Sequence, residues 1–389
     1  MISLEEATAR ILALAHPLGT EEVALDRAAG RRLAQPAQAT RDQPPFDASA
    51  MDGYAVLGDP LPGTRLRVIG EAGAGHEFPG RLGPGEAVRI FTGAPVPPGA
   101  TRVVLQEDTS RDGEDVVVHD IGSPNIRARG QDFPAGAMLS PRWLKPADLA
   151  LLASMNLARV TVARRPEVAV ISTGDELVMP GETPRPDQII ASNGFALKAL
   201  CEGAGARVRL LPIARDNEAA LRSAFALAGG ADVVVTIGGA SVGAHDLVGK
   251  VAADLGLARA FWKIALRPGK PLMAGRLPEG AVLLGLPGNP VSSLVCGHLF
   301  VLPLLRALQG DPAPLPRPRR AVLAEDLPPN GPRAHYMRAR LAPDGETIRP
   351  FARQDSALLA DLAEADALLI RPVGDPARRA GETVSCLPI

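Results

Sequence analysis

Asp232-Val233-Val234-Val235-Thr236-Ile237-Gly238-Gly239-Ala240-Ser241-Val242-Gly243-Ala244-His245-Asp246 is the stretch on which the fold turns. Its first six residues are a short β-branched run, the pattern of a parallel strand buried on both faces. A glycine-rich turn follows, and open α/β sheets bind ligands at the carboxyl ends of such strands. Backbone N–H groups in that turn approach an anion with no Cβ in the way. The carboxylate of Asp246 would repel a phosphate unless a divalent cation stood between them. Glycines for phosphate plus an acid for a metal is the functional reading; a plain tight turn is the other.

Around this strand, strands and helices alternate. Residues 167–172 read as strand, 173–177 as loop, 193–202 as helix and 206–213 as strand, with Asp216 the expected cap of a helix over 217–228. A helix over 246–255 and strands over 260–264 and 281–285 follow, and Leu286-Pro287-Gly288-Asn289-Pro290 leads into an apolar helix over 291–308. Such alternation predicts a doubly wound, mostly parallel sheet over residues 166–310.

Upstream, Ser3 and Glu6 form a capping-box pattern, and Leu4, Ala7, Ile11 and Leu14 share one helical face. A second helix is expected near residues 22–33 and a third over 146–157, with Pro146 in its first turn. Between them, apolar runs at 65–69, 87–91, 102–106 and 115–119 alternate with turn residues, which predicts an all-β module. The expected architecture is therefore multi-domain α/β plus β. A discontinuous helical domain (1–42 and 133–165) carries an inserted β module (43–132), followed by the α/β domain. After the proline-rich linker 311–318, short strands near 320–324, 334–341, 346–350, 366–371 and 382–387 predict a small C-terminal β barrel over 311–389.

Composition narrows the function classes. Lys plus Arg number 42 and Asp plus Glu 43, so the formal net charge is −1 and no basic face is offered to nucleic acid or to a membrane surface. Aromatics are 3%, too few for base-stacking platforms. Cys201, Cys296 and Cys386 are far apart and form no Cys-x-x-Cys, which argues against a disulfide framework or a zinc site. The start, Met1-Ile2-Ser3-Leu4-Glu5-Glu6, does not read as a signal peptide. The most apolar segment, 281–308, is interrupted by Pro287, Pro290 and Pro303, so no span is expected and the protein reads as cytoplasmic.

Four loops of the α/β region fall at strand ends with the groups an anion-plus-metal site needs. Thr173-Gly174-Asp175-Glu176 supplies carboxylates, and the Gly238, Gly239, Ser241, Gly243 and Asp246 loop supplies amides, a hydroxyl and an acid. Lys263, Arg267 and Lys270 place three cations within eight residues, and Pro287-Gly288-Asn289-Pro290 opens a helix whose N-terminus favours an anion. In the β module, Asp52-Gly53 reads most simply as a hairpin turn. Phe91-Thr92-Gly93-Ala94-Pro95 reads as an anion contact or a plain loop, and Asn125 to Asp132, with two cations, a glycine and an acid, as a solvated connection.

Six motifs in register carry a resemblance. They are Ser49-Ala50-Met51-Asp52-Gly53-Tyr54, Thr92-Gly93-Ala94-Pro95, Ser172-Thr173-Gly174-Asp175-Glu176-Leu177, Gly238-Gly239-Ala240-Ser241-Val242-Gly243, Pro268-Gly269-Lys270-Pro271 and Leu286-Pro287-Gly288-Asn289-Pro290. Together the chain resembles, over essentially its whole length, the MoeA-type molybdopterin molybdenumtransferases, a family that includes the E domain of gephyrin. The resemblance implies an elongated homodimer with its site between the α/β domain of one subunit and the β module of the other. It implies insertion of molybdate into adenylylated molybdopterin, with Mg²⁺ assisting and AMP released. Matching positions are Asp52, Thr92, Arg127 and Asp132 on the module side, and Glu176, Asp216, Asp246, Lys263 and Lys270 on the α/β side. Glu176, Asp246 and Asp216 would hold Mg²⁺; Lys263, Arg267 and Lys270 would neutralise phosphate and molybdate; Arg338 and Ser356 would sit near the oxyanion. Arg267 stands where the family usually has Lys, and Asp355 beside Ser356 adds an unexpected negative charge.

The resemblance also implies partners: a molybdopterin adenylyltransferase supplying the substrate, and molybdoenzyme maturation proteins. Two other readings compete, a molybdopterin adenylyltransferase and a non-catalytic carrier or scaffold. The β module and C-terminal barrel argue against the first, and the retained Asp52, Glu176, Asp246 and Lys270 against the second.

Overall fold

The computed structural model describes residues 1–239 and 247–389. The chain divides into two compact units, Met1–Glu21 with Ala163–Ile389, and Glu22–Val162. In the first unit the labelled elements are α1 (Leu4–Leu12), β1 (Glu167–Ser172), α2 (Asn193–Gly203), β2 (Arg207–Leu210), α3 (Glu218–Leu227) and β3 (Val233–Ile237). They continue with α4 (Leu247–Asp254), β4 (Ala258–Trp262), β5 (Met273–Arg276), β6 (Val282–Leu286) and α5 (Pro290–Leu308).

The sheet runs β2-β1-β3-β6-β5-β4, with β2, β1, β3 and β6 parallel and β5 and β4 antiparallel at one edge. The β-branched run explains the central position of β3. Val233, Val235 and Ile237 enter one buried cluster and Val234 the other, so helices must cover both faces.

Three expectations for the helices need correction. The first helix does not belong with a helical domain. Ser3 caps it, accepting from the Glu6 N–H at 3.1 Å, but Ala7 and Ile11 are buried in one cluster with Val168, Phe300 and Leu304. An amphipathic face fixes that a helix packs, not on what. The helix expected near 22–33 is instead a strand, Thr20–Ala24, and a single 3₁₀ turn, Leu25–Arg27. Finally, α5 runs unbroken through Pro303 for 19 residues. Its π segment Gly297–Val301 ends two residues before Pro303, which takes an early position in the next stretch, Leu302–Leu308, where a missing N–H is tolerated. By length it could span a bilayer; 72% of its apolar window is buried inside the unit, as a core helix requires.

The last part of the first unit is a closed five-stranded barrel, cyclically Ala334–Leu341, Thr347–Pro350, Arg319–Leu323, Thr383–Pro388 and Ala367–Arg371. The two-residue strand Leu266–Arg267 adds to it in parallel. Ala321, Leu323, Ala339, Ile348, Leu369 and Cys386 fill it. The three cysteines are free and buried, and burial pushes the Cys201 thiol up to about 12.

Buried His335 and half-buried His298 are expected to make this unit acid-sensitive. Burial lowers His298 on α5 and His335 in the barrel from 6.5 to about 4, with Arg267 and Arg371 adding to the effect at His335. The unfolded chain therefore binds more protons than the folded one between those values. Stability that is full above pH 6.5 is lost as pH falls towards 4, by up to about 1.4 kcal/mol per pH unit for each histidine. The His335→Leu variant is expected to lose less urea resistance than the parent between pH 7 and 4.5. Equal losses in both proteins would place the sensitivity elsewhere.

The second unit holds a six-stranded mixed sheet in the order Arg102–Leu105, Gly53–Val56, Glu86–Ile90, Arg65–Ala72, Asp115–Val118 and Thr109–Asp112. Asp52-Gly53 is not a hairpin turn: Gly53 begins a strand paired on both sides, with Ile90 and Leu105. The remainder packs Leu33, Phe133, Leu144 and Leu152 of the helix Pro146–Ser154 and its neighbours into a separate core.

Candidate active site

At the carboxyl edge of the parallel strands lies a cavity of about 750 Å³. Thr173, Gly174 and Glu176 after β1, Asp216 after β2, Gly238 and Gly239 after β3, and Pro287, Gly288 and Asn289 after β6 all line it. The first residues of α2, α4 and α5 (Asn193, Leu247 and Pro290) line it too, and α3 starts two residues after Asp216. Three helix starts in one lining favour an anion there through the positive ends of their dipoles.

Local sequence explains the shape. Gly239 has φ +64°, and a Cβ there would lie 2.3 Å from Val248 Cγ2, so only glycine lets this turn pack on α4. The Thr173 N–H donates to Ile237 O at 2.9 Å and the Gly238 N–H to Leu286 O at 3.1 Å, tying the three loops side by side. Asp216 is not the helix cap. Asn217 accepts from the Ala220 N–H at 2.9 Å, which leaves the Asp216 carboxylate exposed at the cavity.

Asn193 is a site residue that the sequence reading passes over. Its Nδ2 donates to Gly288 O at 2.7 Å, and its Oδ1 accepts from Ser192 Oγ at 3.1 Å. It therefore fixes the Pro287-Gly288-Asn289 turn from across the cavity. A Ser-Asn pair opening a helix at a strand edge was its only signal. Ile189 and Ile190 add an apolar wall that no polar motif announces.

Lys263, Arg267 and Lys270 lie on the connection between β4 and β5, Arg267 in the short strand Leu266–Arg267, and this connection meets the cavity lining at Pro271. Lys263 has φ +70°, and its Nζ stands 4.0 Å from the centre of the Trp262 ring, a cation–π distance. Chain contacts at the N-terminus brace this turn: the Ala265 N–H donates to Ile2 O at 2.9 Å and the Ile2 N–H to Lys263 O at 3.3 Å. Arg267 and Lys270 are exposed.

Ser356 comes next to the cavity from the barrel. Its carbonyl accepts the Val291 N–H at the start of α5, and its Oγ accepts from Asn289 Nδ2, both at 3.1 Å. The structure places Arg338 otherwise than at an oxyanion. It is 1% exposed, donating to Leu358 O at 2.7 Å and Arg353 O at 3.0 Å, so it clasps the loop that carries Ser356. Asp355 is exposed and accepts the Ala357 N–H at 2.8 Å.

In the second unit Asp52 and Thr92 do meet. Thr92 N–H and Oγ1 both donate to Asp52 Oδ1, at 2.8 and 2.7 Å. These bonds, with Arg89 nearby, hold the Asp52 carboxyl below its ordinary value. Arg127 and Asp132 are exposed on the following loop, and it is Arg129 that forms the ion pair there, with Asp42 at 2.5 Å.

Ser241, Gly243 and Asp246 lie outside the described residues. Among the described residues no three His, Cys, Asp or Glu side chains gather as a metal cluster.

Residues 2–156 match the family described as MoeA N-terminal region (domain I and II), residues 169–307 the probable molybdopterin binding domain, and residues 320–389 the MoeA C-terminal region (domain IV). A molybdopterin molybdenumtransferase of Nostoc is 37% identical over 95% of this chain and 89% of its own length. One of Haemophilus influenzae is 41% identical over 80% and 78%. A solved MoeA molybdopterin biosynthesis protein of Pyrococcus horikoshii superposes with a TM-score of 0.83 at 32% identity, over 100% of this chain and 99% of that one. With its fold matched from end to end, the chain belongs to the MoeA family of molybdopterin molybdenumtransferases.

Proposed function

We propose that this protein inserts molybdate into adenylylated molybdopterin, releasing AMP and yielding molybdenum cofactor. The observation that carries the reading is the α/β cavity, where three helix starts and the Gly238-Gly239 and Gly288 turns share one lining with the carboxylates of Glu176 and Asp216. A phosphoanhydride with a cation on it fits that combination, since N–H groups take phosphate oxygens and carboxylates take the metal.

Glu176 and Asp216 suit Mg²⁺, which uses one or two carboxylates plus substrate phosphates rather than a full protein cage. Once bound, the ion would neutralise charge on the pyrophosphate and polarise its oxygens. The protein's own part is positioning. Gly238, Gly239 and Gly288 let the phosphates close on the backbone, and Asn193 holds the Gly288 turn. Lys263, Arg267 and Lys270 would offset the charge of the substrate's pyrophosphate and of molybdate, a dianion. The working form we infer is a cytoplasmic homodimer that takes its substrate from a molybdopterin adenylyltransferase and passes cofactor to molybdoenzyme maturation proteins.

A single-turnover assay with adenylylated molybdopterin, molybdate and Mg²⁺ tests this. AMP release that requires molybdate and is lost in Lys270→Ala is the expected result. Tight substrate binding without AMP release would move the protein to the carrier reading.

A further inference from the structure

Asp52 presents its carboxylate from the edge of the second unit, and three separate segments hold it there. Its Oδ1 accepts from Thr92, and its main-chain carbonyl accepts the Gln106 N–H at 3.1 Å. The next carbonyl, of Gly53, accepts from Arg89 Nη1 at 3.1 Å. Arg89 Nη2 reaches on to Gln106 Oε1 at 2.7 Å. Its guanidinium also sits 5.1 Å from the centre of the Tyr54 ring and 4.8 Å from that of Phe91, the residue before Thr92.

One side chain thus ties together every segment that fixes Asp52: the Asp52-Gly53 step, the Phe91-Thr92 step and Gln106. Register makes this possible, because Arg89 lies directly across from Tyr54 on the paired strand. Both Nη groups are used within the protein and two aromatic rings lie at cation–π distance from the guanidinium, so it is built to organise rather than to take substrate.

We propose that Arg89 is the positioning residue for Asp52, setting the direction of the carboxylate by linking its three anchors. The proposal rests on the reading of Asp52 as catalytic. Two properties of arginine are needed at once: a fork that reaches two acceptors, and a flat face that stacks. Lysine keeps the charge but reaches one acceptor at a time, so a purely coulombic role and a positioning role predict different behaviour for Arg89→Lys.

The test is a double-mutant cycle on single-turnover AMP release in the full chain, with Arg89→Met, Asp52→Ala and the double variant. Misplacing a reacting group by about 1 Å costs about 10²-fold. Arg89→Met is accordingly expected to lower the maximal rate by about that factor, with the half-saturating substrate concentration little changed. The double variant should be no slower than Asp52→Ala, as required of a residue that acts through another. Arg89→Lys should melt at the parent temperature and still be at least about tenfold slow. Should Arg89→Met fold poorly, Arg89→Lys alone decides. A parent-like rate in Arg89→Lys overturns positioning, as do losses that multiply in the double variant. A parent-like rate in Asp52→Ala removes the reading beneath the proposal and the proposal with it, an outcome distinct from a slow Asp52→Ala beside a fast Arg89→Met.

Discussion

Glu176→Gln is expected to slow AMP release by about 10²- to 10³-fold, a barrier increase of about 2.7–4 kcal/mol. Glutamine keeps the shape and one acceptor of the side chain but loses the charge. The cavity that Glu176 lines is otherwise dominated by positive helix ends, and Asp216 is the other described carboxylate in it. Losing one of two charges should therefore weaken hold on a cation bridging to the pyrophosphate. Gly174 provides an independent approach to the same carboxylate. A Cβ on Gly174, at φ +147°, would lie 2.3 Å from Glu176 Oε2, so Gly174→Ala must turn the carboxylate aside without altering its charge. Both variants should fail in the same direction. Because Glu176 is exposed, Glu176→Gln should change stability by no more than about 0.5 kcal/mol. If Glu176 holds the metal, the Mg²⁺ concentration giving half-maximal rate rises in the variant. A parent-like rate and an unchanged Mg²⁺ requirement would remove Glu176 from the site.

The sequence was most legible where burial on two faces or strict alternation left a periodic trace. Val168 to Ile171, Val233 to Ile237 and the five barrel strands are of that kind. By contrast β5, Met273-Ala274-Gly275-Arg276, has no β-branched residue, and its strand character comes from pairing with β4 and β6. The capping signal at Ser3 was local and legible; the partner of α1 was tertiary and was not. Asp216 and Asn217 are adjacent residues of equal capping propensity, and only backbone geometry decides which accepts the Ala220 N–H. For the site, loops at strand ends follow from topology, so Thr173, Glu176, Gly238 and Gly288 were foreseeable together. Arg338 was not, because an arginine facing an oxyanion and one clasping two carbonyls from within look alike in sequence. The same holds for Arg89, whose meaning lies in what three distant segments place around it.

Gly53→Ala sets two effects of opposite sign against each other, and the steric one should win. Gly53 does not have positive φ, so alanine is allowed by the backbone and should stabilise by about 0.4–1 kcal/mol through the unfolded chain. Its Cβ, however, would lie 1.9 Å from Val104 O, a backbone atom of the adjoining strand. No flexible side chain can give way there. The strand Gly53–Val56 is held on both sides, by Glu86–Ile90 and Arg102–Leu105, so relief at one edge opens a ladder at the other. Overpacking of this kind costs about 1–3 kcal/mol even where side chains can adjust, and here a backbone atom must move, so a net destabilisation of about 2 kcal/mol is expected. The damage should be local. Amides of residues 53–56, 86–90 and 102–105 should lose hydrogen-exchange protection, while those of β1, β3 and β6 keep theirs. Function should fall with it, because the Gly53 carbonyl is the acceptor for Arg89 and Asp52 is the preceding residue. Unchanged protection in those three strands would mean that the sheet absorbs the methyl group by a shift of about 1 Å. Asp52 should then still be displaced and AMP release slowed by about 10²-fold, since the rate depends on its placement more steeply than the fold does.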